Sequence, residues 1–393
     1  MRNAVIVNAV RTPVGKMGQS LAAIPASTLA SIAMKESVYR AKIDPKEIDE
    51  VIFGNLLNFD NNNIARIGWL EAGFPIEVPA TTINRRCASS LTAIAYAAMM
   101  IQTGVADAVL AGGVESSSQN PFMIQRAQSS YPTKLKVLET KQAPDEIGNV
   151  PLLVTAENIA KKYNITRQEC DEFAYRSHML AANAWKNKKF DEQIVPVLVP
   201  RKKQEDLVVN WDDCVRPDTT LEALSKLKPV VDKQGVVTAG NSSPMNDGAS
   251  AIMIMSEEKA KSLGLKPLAV VKEFAAAGCD PLYMGLGPIY STNKLFAKTG
   301  LSFKDIDLIE INEAFASQSI ACLKELGIYN SKDMERINVN GGAIAIGHPN
   351  AASGGILTAR LIYEMLEKDL HRGLITFCIG GGQGFSILLE NYN

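Results

Sequence analysis

The sequence predicts an α/β protein built from two similar halves, and three observations carry that prediction. Short apolar runs alternate with segments of helical period, the pattern of strands joined by covering helices. A stretch from Cys87 to Ala106 has no charged residue and is apolar all round the helical wheel, so it belongs in a core. The last third then repeats the first. IDLIEINE (306–313) echoes IDEVIFGN (48–55), and LITFCIGGG (374–382) echoes ADAVLAGG (106–113). A duplication of this size implies two α/β halves packed together, with a site at their junction that draws residues from each.

Taken in order, residues 4–8 (AVIVN) read as a buried strand and Arg11-Thr12-Pro13 as a turn. Residues 27–41 have helical period, and Asp44-Pro45 starts a short helix before the strand at 48–55. A second amphipathic helix spans about 62–73, and PATTIN (79–84) leads into NRRCASSL and the core helix, with Gly104 as its C-cap. That run is nearly long enough to cross a bilayer, but Ala, Ser, Thr and Gln make it too weakly apolar. From about 117 to 235 the texture is more polar, with helices near 155–163 and 167–188 and a charged run at 201–206, and it reads as an inserted subdomain. Compact sequence resumes at 236–256 around an AIMIM strand, and a small-residue helix (351–368) precedes the last strand pair.

Composition narrows the function classes. The 393 residues are 46% hydrophobic and 21% charged with a net charge of −1, which argues against nucleic acid as the main partner. Six cysteines (87, 170, 214, 279, 322 and 378) are scattered without a C-x-x-C, so neither zinc nor a disulfide framework is expected. Reduced thiols, the absence of a secretory h-region and of a C-terminal targeting tripeptide make a cytoplasmic protein the expectation.

Four stretches bear chemistry. Cys87 opens the core helix, where unpaired N–H groups and the helix dipole favour a thiolate; an inert buried cysteine is the plain alternative. Asn312-Glu313-Ala314-Phe315-Ala316 ends a strand, and Gly341 to Pro349 holds His348, one of three histidines. Cys378-Ile379-Gly380-Gly381-Gly382-Gln383-Gly384 puts a second thiol at a strand end, before exposed backbone N–H groups. Singly, each is most simply a turn or a cap. The glycine run lacks the G-x-G-x-x-G spacing, and there is neither a Walker loop nor H-E-x-x-H. Together they are the parts for acyl transfer through a thioester: a Cys nucleophile, a His base, a second Cys and two sets of N–H donors.

On these residues the chain resembles the thiolases over its whole length, from VRTPVGK (10–16) through NRRCASS, AGGVES, TAEN (155–158), VTAGN (237–241), NDGA (246–249), NEAFA and GHP to CIGGGQG. The resemblance implies a five-layer α-β-α-β-α fold of two duplicated halves with an inserted loop domain over coenzyme A. It divides the chain into 1–117, completed by about 236–270, an insert at 118–235, and a second half at 271–393. It implies ping-pong chemistry. Cys87, activated by His348, would take the acyl group, and Cys378 would deprotonate the methyl carbon of a second acetyl-CoA. One oxyanion hole would comprise the N–H groups of Cys87 and Gly380; His348 and a water on Asn312 would form the other. Ser243 matches a serine near the pantetheine, Arg216 a basic residue near the nucleotide, and Leu152, Met284, Ala314 and Phe315 the pocket wall. Coenzyme A thioesters are then substrates and no cofactor is needed. The expected partners are acetyl-CoA, acetoacetyl-CoA and coenzyme A, with no nucleic acid or membrane, in a homodimer or homotetramer.

The departures from the family pattern concern the pocket. Ser90 replaces a glycine, Asn350-Ala351-Ala352-Ser353-Gly354-Gly355-Ile356 follows GHP in place of x-Gly-Ala-Ser-Gly-Ala-Arg, and Pro151-Leu152-Leu153 replaces His-Met-Gly. If Leu153 points into the acyl cavity, it excludes longer chains. A β-ketoacyl synthase would carry His or Asn in place of Cys378, and a non-catalytic relative would have lost Cys87, His348 or Cys378. The expectation is acetyl-CoA acetyltransferase chemistry, with a degradative 3-ketoacyl-CoA thiolase of broader chain length as the alternative.

Overall fold

The structure is a computed structural model that describes residues 2–59, 61–126, 136–138 and 140–392. Its first part runs β1 (Ala4–Arg11), β2 (Gly15–Lys16), α1 (Ala26–Ala41), β3 (Glu50–Gly54), α2 (Ile64–Glu71), β4 (Ala80–Ile83), α3 (Ser89–Gln102) and β5 (Ala108–Ser116). The polar stretch holds α4 (Leu152–Lys162), α5 (Arg167–Lys186), a hairpin of β6 (Val197–Val199) and β7 (Leu207–Val209), and α6 (Leu221–Ser225). After β8 (Asn246–Ser256) and α7 (Glu257–Ser262) come β9 (Ala269–Gly278), α8 (Gly287–Thr299), β10 (Leu308–Ile311), α9 (Ala316–Glu325), α10 (Ala343–Ile346), α11 (Ser353–Lys368), β11 (Arg372–Ile379) and β12 (Gln383–Asn391).

The duplication is visible in the strand order. One half-sheet reads β1-β8-β5-β3-β4 and the other β9-β12-β11-β10, so equivalent strands occupy equivalent places. The halves are hydrogen-bonded into one sheet where β1 meets β9 at Val5↔Val270 and Ile6↔Ala269. That junction was not expected from the sequence.

Strand alternation builds the layers. On β5, Val109 and Ala111 face a central core, whereas Ala108 and Leu110 face an outer one. On β8, Ile252 and Ile254 point inward and Met253 and Met255 outward. The central core packs α3 and α11 between the half-sheets; one outer core holds α1 and α2 and the other α8 and α9. Helix, sheet, helix, sheet, helix is the five-layer order that the family resemblance implies. Buried apolar area of this extent is the dominant stabilising term, at about 25 cal/mol per Å².

The polar stretch is pinned to the first half by a buried ion pair. Arg11 on β1 donates to both carboxylate oxygens of Asp212 at 2.8 and 3.0 Å, and Asp212 also accepts the Val14 N–H. Both side chains are fully buried, so losing either partner would strand a charge, which accounts for Arg11 in the opening motif. Other motifs are also structural. Glu157 of TAEN accepts the Val236 and Val237 N–H groups, and Asn241 of VTAGN donates to Asp171. Among the described residues no helix is long and apolar enough to cross a membrane.

Candidate active site

Cys87 does not lie in the helix proper. It sits in a single 3-10 turn, Arg86–Ala88, just before α3, and Arg86 is held at φ 47°. A left-handed conformation at a non-glycine residue costs on the order of 1–3 kcal/mol and persists only where the surroundings enforce it. Here Asn84 Oδ1 accepts the Arg86 N–H at 2.9 Å, and Ser89 Oγ accepts from Arg85 N at 2.8 Å while donating to Arg86 O. The turn aims the sulfur at the other half. Only 7% of the residue is exposed, and burial pushes the thiol up, against the opposing pull of the Gly380 backbone N–H and the Arg86 charge. Burial therefore outweighs the thiolate-favouring helix end, and the resting sulfur is a thiol. It donates to Asn350 Oδ1 at 3.9 Å.

The second half supplies the remaining groups from strand ends. Cys378, 1% exposed near the end of β11, has its thiol pushed well up by burial and then by neighbouring Cys87, Cys322 and Cys279. The turn after it uses Gly381 and Gly382 at φ 89° and 83°, which glycine alone adopts without strain. Gly380 has a steric reason: a Cβ there would lie 2.7 Å from Gln142 Oε1 and 3.3 Å from Arg86 Cδ. Its N–H thus reaches Cys87 from a backbone pressed against Gln142 of the polar stretch and Arg86 of the first half.

His348 follows Gly347, whose φ of 115° permits the turn out of α10. Its own N–H donates to Asn246 Oδ1 at 2.9 Å, tying it to β8. Asn312 Nδ2 lies 3.4 Å from Nε2, and Ser353 Oγ lies 2.6 Å from Nδ1. With the amide donating, Nε2 is the acceptor and Nδ1–H donates to Ser353, the tautomer a base at Nε2 requires. Burial lowers the imidazole to about 4, so it is neutral near pH 7. Asn312 Oδ1 is buried and has no hydrogen-bond partner among the described residues.

The pocket wall divides in two. Leu152, Met284, Ala314 and Phe315 cluster with Cys378, Ala156 and Val237. Phe315 and Ala314 are set by pairing with 242–243, where the Ser243 N–H donates to Ala314 O at 3.0 Å. A separate cavity of about 650 Å³ is lined by Ser243, Arg216, Lys16, His178 and Leu153 among others. Leu153 is 37% exposed and lines this outer cavity, apart from the Cys378 cluster. Its isobutyl group therefore does not close the space beside Cys378, and only Leu152 of the pair can.

Sequence reasoning missed four contributors. Ser353 and Asn246 orient His348, Asn350 meets the Cys87 thiol, and Gln142 fills the space beside Gly380. Asn350 and Ser353 lay inside a stretch singled out only for differing from the family pattern, and Asn246 opens the NDGA motif. Gln142 carried no signal, since only the tertiary fold brings residue 142 to residue 380. Among the described residues no group of three His, Cys, Asp or Glu side chains could hold a metal ion.

Comparison with known proteins identifies the family. Residues 4–258 match the family model of the thiolase N-terminal domain and residues 265–391 that of the thiolase C-terminal domain. The chain is 44% identical to an acetyl-CoA acetyltransferase of Cupriavidus necator over 99% of its own length and 100% of the relative's. It is 39% identical to a probable acetyl-CoA acyltransferase of Staphylococcus epidermidis, with both chains fully covered. Among solved structures, the Bacillus anthracis acetyl-CoA acetyltransferase superposes with a TM-score of 0.95 at 41% identity, covering 100% of this chain and 99% of that one. Human mitochondrial 3-ketoacyl-CoA thiolase in complex with CoA gives 0.92 at 38%, covering 99% and 98%. The chain belongs to the thiolase family of acyltransferases.

Proposed function

We propose that the protein condenses two acetyl-CoA into acetoacetyl-CoA, and catalyses the reverse thiolysis, through an acyl thioester on Cys87. The observation that carries this reading is the convergence on one sulfur of groups from both halves: the Gly380 N–H meets Cys87, and Cys378 lies close enough for the two thiols to feel each other's charge. In the first half-reaction the Cys87 proton passes to His348 Nε2 and sulfur attacks the thioester carbonyl. The oxyanion is received by the N–H groups of Cys87 and Gly380, and coenzyme A leaves with the proton. In the second, Cys378 gives its thiol proton to the freed His348 and, as thiolate, takes a proton from the methyl carbon of a new acetyl-CoA. The carbanion attacks the acyl group, and Cys87 departs as thiolate and recovers a proton from His348. The enolate oxygen would rest on His348, protonated at Nε2 at this stage, and on a water at Asn312, whose buried Oδ1 has no partner among the described residues. Ser243 and Arg216 line the 650 Å³ cavity, the place for the pantetheine and nucleotide of coenzyme A.

Chain length follows from the Cys378 cluster. Leu152, Met284 and Phe315 leave the acyl group a wall of bulky side chains, so acetoacetyl-CoA should exceed 3-ketohexanoyl-CoA in kcat/KM by about tenfold or more. Equal values would favour a degradative 3-ketoacyl-CoA thiolase of broader range; the human relative is named a 3-ketoacyl-CoA thiolase.

The assembly proposed is at least a homodimer. The edge strand β4 and the exposed flank of α3 leave Ile83, Tyr96, Met99 and Met100 around an open apolar hollow, and an unpaired edge of this kind suits a second copy. Light scattering at micromolar concentration should return at least twice the chain mass of 42.5 kDa; a clean monomer would contradict it.

A further inference from the structure

We propose that Asn350 is a further catalytic residue. Its side-chain amide holds the Cys87 thiol through Oδ1 at rest and turns Nδ2 to the sulfur when the proton leaves. The inference rests on Cys87 being the nucleophile. Three observations support it. The amide is the thiol's hydrogen-bond acceptor, at 3.9 Å. Burial of the sulfur opposes the thiolate, so the charged form depends on donors placed around it. An amide can serve both states, because its two ends differ and a half-rotation exchanges acceptor for donor.

The backbone is shaped to present this group. Asn350 has φ 22°, in the left-handed region where asparagine is enriched. Its N–H donates to His348 O at 2.8 Å, the Ala351 N–H donates to Glu115 Oε2 at 3.3 Å, and the Ala352 N–H donates to Pro349 O at 2.8 Å. Glu115, fully buried on β5, also accepts the Leu57 N–H at 2.9 Å. One braced turn thus carries the base, His348, and two residues later the amide at the nucleophile. The other charged or titratable groups around the sulfur are Arg86 on its own turn, Glu115 from β5, Cys378 from β11 and, as the base of the proposed reaction, His348. The Gly380 and Cys87 backbone N–H groups are fixed neutral donors, and Asn350 is the side-chain amide here that can exchange acceptor for donor as the proton departs.

The test is the pH dependence of Cys87 alkylation by iodoacetamide in wild type, Asn350→Gly and Asn350→Asp, with the labelled peptide identified by mass. Glycine and aspartate both tolerate the backbone at 350, so a turn requirement alone predicts unchanged profiles. A thiolate that loses a charge-assisted donor should titrate higher. Asn350→Gly should raise the midpoint by about one unit and slow alkylation about tenfold at neutral pH. Asn350→Asp, which sets a carboxylate against the sulfur, should raise it further. Comparison with wild type at each pH cancels the titration of Glu115. A midpoint that stays or falls in Asn350→Gly overturns the proposal. Acetyl-CoA labelling of wild-type Cys87 in the same preparation separates the two readings. Without it the nucleophile assignment falls, and with it, alongside unchanged midpoints, only the role of Asn350 does.

Discussion

Replacing Cys378 by serine should leave Cys87 able to accept an acetyl group and should abolish condensation. A serine hydroxyl is a far weaker carbon base than a thiolate, and only the second half-reaction removes a proton from carbon. The loss in condensation should be on the order of 10²–10⁴-fold, the usual contribution of a positioned proton acceptor. Hydrogen exchange at the acetyl-CoA methyl should fall with it, while acetylation of Cys87, read by mass, should persist. The fold should tolerate the change, since serine is nearly the size of cysteine, although burying a hydroxyl here costs about 1–3 kcal/mol. Lost acetylation with preserved exchange would reverse the roles of the two thiols.

His348→Ala should strike the earlier step. The Cys87 thiol is pushed up by burial, so acylation depends on a base that takes its proton, and acylation should slow about 10²-fold or more. The same imidazole has two pH signatures. Held at about 4 against an ordinary 6.5, it stays neutral as pH falls through 6.5, so acylation should show no inflection there and should fail only near 4. The sign for stability is opposite to that of a partnered histidine. Between 6.5 and 4 the unfolded chain binds a proton at His348 that the folded chain refuses, so stability contributed by keeping it neutral is lost as pH falls through that window. His348→Ala should reduce the slope of that part of the stability profile, and His178, lowered by burial to about 4 as well, supplies what remains. Unchanged acylation in this variant would remove His348 from the mechanism.

Much of the site was legible because its chemistry lies in short contiguous motifs. Cys87, His348, Cys378, Asn312 and Gly380 each stand in one, and the duplication already implied that both halves meet. Helical period located α3, and strand alternation set the layers. What escaped reading depends on angles and on distant packing. Leu152 and Leu153 are neighbours in sequence, but at the start of a helix successive side chains diverge by about 100°, so one meets the Cys378 cluster and the other the outer cavity. Arg86 gave no sign of its left-handed backbone, because the hydrogen bonds of Asn84 and Ser89 impose it. A bare helix end would favour a Cys87 thiolate, but burial outweighs it, and burial is a property of the folded protein rather than of the stretch.

The central claim is a covalent acyl group on one sulfur. Incubating the protein with acetyl-CoA, quenching and mapping peptides by mass should find a single acetyl increment on the peptide containing Cys87. Prior incubation should also protect that cysteine, ahead of the other five, from alkylation. An increment spread over several cysteines, or condensation activity with Cys87 never acylated, would contradict the account.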